Sequence, residues 1–215
     1  MVNTYLKAAI LTIVIVGAWF GLSIAFETQL NNQLLNQIDT IISQETSINA
    51  YLAYLESTED NQRYCTVLKE HVQIQSQKLF ALLEQLERTQ FNTLENQYPI
   101  ARQRFQNANA QLFFSLKKFE QNCPNEEELK QPILYFYPDN QGCSDCVLQA
   151  SILNEIRDAC LHPIQIFAFP TNGESTIVEL LIKDYQIEKT PSLVIEDKVY
   201  EGVQSPSFLN EKLNC

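Results

Sequence analysis

The sequence predicts a chain in three parts: an N-terminal membrane-spanning helix over 1–28, an all-α helical hairpin or coiled-coil stalk over 29–123, and a C-terminal α/β domain over 124–215. Three observations predict it. Residues Ala8 to Phe26 form an almost unbroken apolar run. From Gln29 to about Asn122 there is no glycine, and apolar residues recur at alternating spacings of four and three. From Gln131 onward, short apolar runs alternate with stretches of helical spacing.

The chain has 215 residues, enough for one ordinary domain or two small ones. Its net charge of −11 argues against nucleic acid as a partner, because phosphate binding needs a basic surface. Five glycines favour helices over tight-turned all-β architecture. Six cysteines permit full pairing.

The first run is broken only by Thr12, Gly17, Gly21 and Ser23 and is about long enough to cross a ~30 Å hydrocarbon core. No small-x-small cleavage site follows it closely, and it is long for the core of a signal peptide. An uncleaved anchor is therefore expected, with Trp19 and Phe20 inside it. Lys7 and the amino terminus precede the run, and the next basic residue is Arg63. That asymmetry places the N-terminus in the cytoplasm and the rest outside, extracytoplasmic, with one crossing.

In the middle part, Leu34, Ile38, Ile41, Glu45, Ile48, Leu52 and Leu55 make a heptad seam interrupted by Glu45. Ser57-Thr58-Glu59-Asp60 breaks the helix and supplies a cap for the next. A second seam runs through Cys65, Leu68, Val72, Gln75, Leu79, Leu82 and Leu86. A third comprises Phe105, Ala108, Leu112, Leu116 and Phe119. Pro99 suits the first turn of the third helix, with the bend at Asn92 to Tyr98. The seams are expected to close on one another in an antiparallel helical stalk or small helical bundle. Coiled-coil self-association and docking to a membrane-associated partner complex stay open, because intramolecular and intermolecular seams look alike. Cys65 and Cys123 lie on the apolar faces, and their midpoint, residue 94, falls in the bend, so they are expected to form a disulfide. His71 sits among polar positions of the second helix without a second ligand at helical spacing. His162 ends a helix before Pro163, where its charge suits the helix C-terminus. Neither implies a ligand.

Cys123-Pro124-Asn125 and the acidic residues Glu126 to Glu128 mark the next boundary. The strand Ile133 to Tyr137 then leads into Gly142-Cys143-Ser144-Asp145-Cys146. Val147, Ile152, Leu153, Ile156 and Ala159 continue it at helical spacing. Two cysteines separated by two residues can close and reopen a small disulfide ring. They do so most readily when the first caps a helix, whose N-terminal partial charge stabilises a thiolate. Pro163 to Phe169 reads as a strand and Ser175 to Tyr185 as a helix. Leu193 to Glu196 and Lys198 to Tyr200 read as a hairpin around Asp197, and Ser205 or Ser207 caps a last helix.

With Lys189-Thr190-Pro191-Ser192 before Leu193-Val194-Ile195 and the closing Lys198-Val199-Tyr200-Glu201-Gly202, residues Gln131 to Cys215 resemble the thioredoxin-like superfamily. Gly142, not tryptophan, precedes Cys143, and the preceding strand carries no acid. The Thr-Pro pair looks like the extracytoplasmic disulfide-exchange branch. The resemblance implies a cis-proline at Pro191 beside the cysteine pair, Cys143 as attacker and Cys146 as resolver. It implies Thr190 and Pro191 as substrate contacts through backbone pairing, with Ser144 and Asp145 modulating the pair. It also implies a Cys160–Cys215 disulfide, since the helices that these cysteines end lie on the same face of such a sheet. Zinc is not expected, because neither a second C-x-x-C nor an H-x-x-x-H exists; no cofactor is implied.

The expected function is that of a membrane-tethered thiol–disulfide oxidoreductase. Its expected partners are extracytoplasmic protein thiols and disulfides, together with a membrane redox partner. The alternative is a non-catalytic adaptor, whose stalk presents a thioredoxin-like module to a partner complex.

Overall fold

The computed structural model describes the backbone of residues 2–90, 97–124, 126, 129–138, 142–161, 163–173 and 175–215. Within the first three helices it describes the side chains of 12–22, 33, 35–86 and 98–122. The expected bend at 92–98 falls largely outside these residues, as do Leu34, His162 and most of the acidic run 126–128.

Three long helices open the chain: α1 (Val2–Ser57), α2 (Asn61–Gln90) and α3 (Gln97–Asn122). Glu59 reverses the chain after α1 with φ 57°. Asp60 then caps α2 by accepting the Arg63 N–H at 3.2 Å. Pro99 lies in the first turn of α3, where its missing N–H costs no helical bond. The order that follows is β1 (Gln131–Tyr137), α4 (Ser144–Ala159), β2 (Ile164–Pro170), α5 (Thr176–Asp184), β3 (Ser192–Ile195), β4 (Lys198–Glu201) and α6 (Pro206–Leu213). The sheet order is β2-β1-β3-β4. β1 and β2 are parallel, and β1–β3 and β3–β4 are antiparallel.

The strands are apolar on both faces, and their alternation sorts side chains between two cores. Ile133, Tyr135, Leu193 and Ile195 pack with Ile152, Leu153 and Ile156 of α4 and Leu209 and Leu213 of α6. Leu134, Phe136, Phe167, Phe169 and Val194 share the other core with α5 and with all three long helices. Phe113 of α3 meets Phe167 of β2 edge-on at 5.5 Å.

This arrangement corrects the expected fold class. The middle part is not a free stalk or coiled coil. It is a three-helix bundle packed on one face of the sheet chiefly through α3, which meets β2 and α5. The seam residues Ile38, Leu55, Leu68, Leu112 and Leu116 are at most 2% exposed, buried against one another and the sheet. The heptad pattern could not reveal this, because a helix facing a sheet and a helix facing a helix need the same apolar stripe.

The expected membrane-spanning segment is also corrected. Among the described residues, no helix is long and apolar enough to cross a membrane. The apolar run is part of the single helix α1, which continues without a break into the helical layer. The single-pass topology is therefore not supported, nor is the assignment of a cytoplasmic N-terminus and an extracytoplasmic remainder that rested on it.

Cys65 and Cys123 are bonded, with Cα atoms 5.7 Å apart, and tie the start of α2 to the end of α3 across 58 residues. Opening this loop by replacing both cysteines with serine is expected to cost about 2–4 kcal/mol. A lower urea midpoint would register that loss; an unmoved midpoint would show that the bridge constrains nothing.

Candidate functional site

The parallel strand β1 ends at Tyr137, and the chain returns at Gly142 to start α4. Gly142 has φ 131°, a conformation that side chains rarely adopt. That is a physical reason for glycine, rather than an aromatic residue, before Cys143. Cys143 is the N-cap of α4, and its Sγ accepts the Cys146 N–H at 3.1 Å. The two cysteines are bonded, with Cα atoms 5.2 Å apart. Cys143 is half-buried and Cys146 is buried, while Ser144 and Asp145 are exposed beside them. Cys143 is thus the more accessible of the two sulfurs. Val147 and Leu148, 72% and 52% exposed, continue an apolar surface along α4.

The Thr190–Pro191 peptide bond is cis. β3 begins at Ser192 opposite Phe136, so Pro191 lies at the end of β1 from which the cysteine loop departs. Pro191 is buried and Thr190 half-buried. The Ser192 hydroxyl donates to the Lys189 carbonyl at 2.7 Å, and the Gly202 N–H donates to the Pro191 carbonyl at 2.8 Å. These bonds brace the turn from both sides. Sheet topology therefore brings Cys143, Cys146, Thr190 and Pro191 to the same end of the sheet.

Two residues beneath the pair had no reading in the sequence. Tyr135, in the middle of β1, points to the α4 face, and its hydroxyl donates to the Cys146 carbonyl at 2.7 Å. Burial, helped by Tyr137, pushes its phenol up to about 12, so it stays neutral at ordinary pH. Gln149, fully buried in α4, accepts the Gln204 N–H at 2.6 Å and holds the loop after β4. A tyrosine inside an apolar strand looks like any other core aromatic, so only the three-dimensional arrangement exposes its role.

A second polar cluster lies inside the helical layer. Glu45, the interruption in the first seam, is 3% exposed and lies 2.6 Å from His71 Nε2. The Ser115 hydroxyl donates to its other oxygen at 2.9 Å. One carboxylate thus joins α1, α2 and α3. Burial pushes the Glu45 carboxyl up, but the hydrogen bond and charge of His71, with bonds from Ser115 and Asn49, outweigh it. The group is held below its ordinary value. His71 is therefore a buried partner of Glu45. The signal was the acid at a seam position, which demands a buried donor.

Cys160, the C-cap of α4, is bonded to Cys215 beyond α6, with Cα atoms 4.6 Å apart. Among the described residues no group of three His, Cys, Asp or Glu side chains could hold a metal ion. Comparison of the chain with protein-family models, with curated proteins and with solved structures found no match.

Proposed function

We propose that the chain is a thiol–disulfide oxidoreductase with a thioredoxin-like C-terminal module, exchanging disulfides with protein substrates through Cys143 and Cys146. The observation that carries this reading is the capping of α4 by Cys143, whose Sγ already accepts a backbone N–H at 3.1 Å. When the disulfide opens, that N–H and the helix terminus favour a Cys143 thiolate. The half-buried Cys143, the buried Cys146 and the braced cis-proline turn support the same reading. Thr190 and Pro191 then serve as the substrate contact, where an extended backbone pairs beside the disulfide.

Asp145 sets the direction of exchange. Its negative charge in the first turn of α4 opposes the Cys143 thiolate and offsets part of the helix effect. A less stable thiolate gives a less oxidising disulfide, so the module acts as a reductant. Asp145→His is expected to make the pair more oxidising, read as a higher potential in a glutathione buffer. An unchanged or lower potential would contradict this electrostatic account.

The proposal as a whole is tested by the rate at which the reduced protein opens the disulfide of a protein substrate, compared with free dithiothreitol at equal thiol concentration. Faster turnover, abolished by Cys143→Ser, is expected. A rate no faster than the free dithiol would leave the non-catalytic adaptor as the better reading.

A further inference from the structure

Exchange through a cysteine pair has two thiol steps. First, the Cys143 thiolate attacks a substrate disulfide, forms a mixed disulfide and releases one substrate thiolate. Then Cys146 loses its proton to solvent, attacks Cys143 Sγ and releases the second substrate thiolate. The protein dithiol is oxidised by two electrons and the substrate disulfide is reduced by two. During the interval between these steps Cys146 is no longer held by its covalent bond to Cys143. What holds it then decides how often its sulfur is in line for attack.

Tyr135 is placed to do this. Its hydroxyl rises from the central strand of the sheet and donates 2.7 Å to the Cys146 carbonyl, in the first turn of α4. The phenol is 5% exposed. Its ring is stacked on Tyr137, with centroids 5.3 Å apart, and the Tyr137 hydroxyl accepts a hydrogen bond from Arg102 of α3 at 3.1 Å. The donor is therefore itself fixed by the sheet and by the helical layer. The Cys146 carbonyl lies within the first turn of α4, so a buried donor anchored in the strand adds a tie between that turn and the sheet.

Resting on the exchange reading above, we propose that Tyr135 is a positioning residue for the resolving step: through the Cys146 carbonyl it keeps the Cys146 sulfur aligned on Cys143 while the mixed disulfide exists. Because the group is a neutral donor rather than a carboxyl, it neither takes the Cys146 proton nor titrates with the thiols.

The test is rapid-quench mass spectrometry of the full-length reduced protein mixed with oxidised glutathione, wild type against Y135F, from pH 6 to 9. Formation of the Cys143–glutathione mixed disulfide should be unchanged in Y135F. Its resolution by Cys146 should slow about tenfold, since a small misplacement of a reacting atom has effects of this size. Site-specific 3,5-difluorotyrosine at 135 supplies a second reading that keeps the ring's shape. It should resolve normally while protonated and slow towards the Y135F rate as it ionises, a pH step absent from wild type. Equal slowing of both steps, or no change in resolution with either substitution, would overturn the assignment of Tyr135 while leaving exchange intact. A wild-type protein that forms no mixed disulfide at all would overturn the exchange reading, and this inference with it.

Discussion

His71→Ala is expected to destabilise the chain by about 3–5 kcal/mol, more than opening the Cys65–Cys123 loop. The substitution leaves Glu45, 3% exposed, as a buried carboxylate without its main partner. Ser115 and Asn49 donate to the same carboxylate, but at 2.9 and 3.5 Å they do not replace the charge-assisted bond. Replacing both members by leucine should recover much of the loss, since an apolar pair of similar volume removes the desolvation cost along with the attraction. Acidity separates this account from simple cavity formation. The Glu45 carboxyl is lowered from 4.5 in the folded chain. Its contribution is then complete above the unfolded value and is lost as pH falls through the lower folded value. The gap between wild type and His71→Ala should therefore shrink as acid protonates Glu45. Urea unfolding at pH 7 and below pH 4 measures it. A gap independent of pH would mean that His71 matters only for its volume.

Cys146→Ser is expected to abolish turnover and to trap substrates on Cys143. Cys143 remains half-buried at the start of α4 with its helix terminus intact, so the first attack proceeds. No resolving sulfur follows. Mixed disulfides that survive non-reducing electrophoresis and vanish on adding dithiothreitol are the expected product. Cys143→Ser should give none. Trapping by Cys143→Ser instead of Cys146→Ser would reverse the assigned order of attack, and equal trapping by both would show that there is no fixed order.

Much of the local structure was legible in the sequence because it rests on local rules. The spacing after Cys146 marks α4 as a helix, with Ile152, Leu153 and Ile156 on its buried face and Val147 and Ala159 outside it. The break and cap within Ser57-Thr58-Glu59-Asp60, Pro99 in the first turn of α3 and the β1 run Ile133 to Tyr137 are each read from a few neighbouring residues. What could not be read was the assembly of these parts. Apolar seams on α1 to α3 say only that each helix needs cover, and the cover proved to include Leu134, Phe136 and Phe167 of the sheet. Nor could the apolar run of α1 by itself establish a membrane crossing. Tyr135 and the Glu45–His71 pair escaped for a related reason. Their partners lie 11 and 26 residues away, and neither spacing forms a motif.

Stepwise reduction tests the central claim most directly. The three disulfides differ in what their thiols would meet on opening. Cys143 sits at the positive end of α4, whereas Cys160 caps the negative end of the same helix and Cys215 follows the end of α6. Cys65 and Cys123 are 3% and 4% exposed. Only Cys143 caps a helix N-terminus, which on the exchange reading favours its thiolate even with Asp145 offsetting part of the effect, and so stabilises the reduced pair. In glutathione buffers of increasing reducing power, with alkylation and peptide mapping, Cys143 and Cys146 should be the first thiols to appear. Cys65–Cys123 and Cys160–Cys215 should still be closed at that point. Opening of all three bridges together, or of Cys143–Cys146 last, would contradict a redox role for this pair.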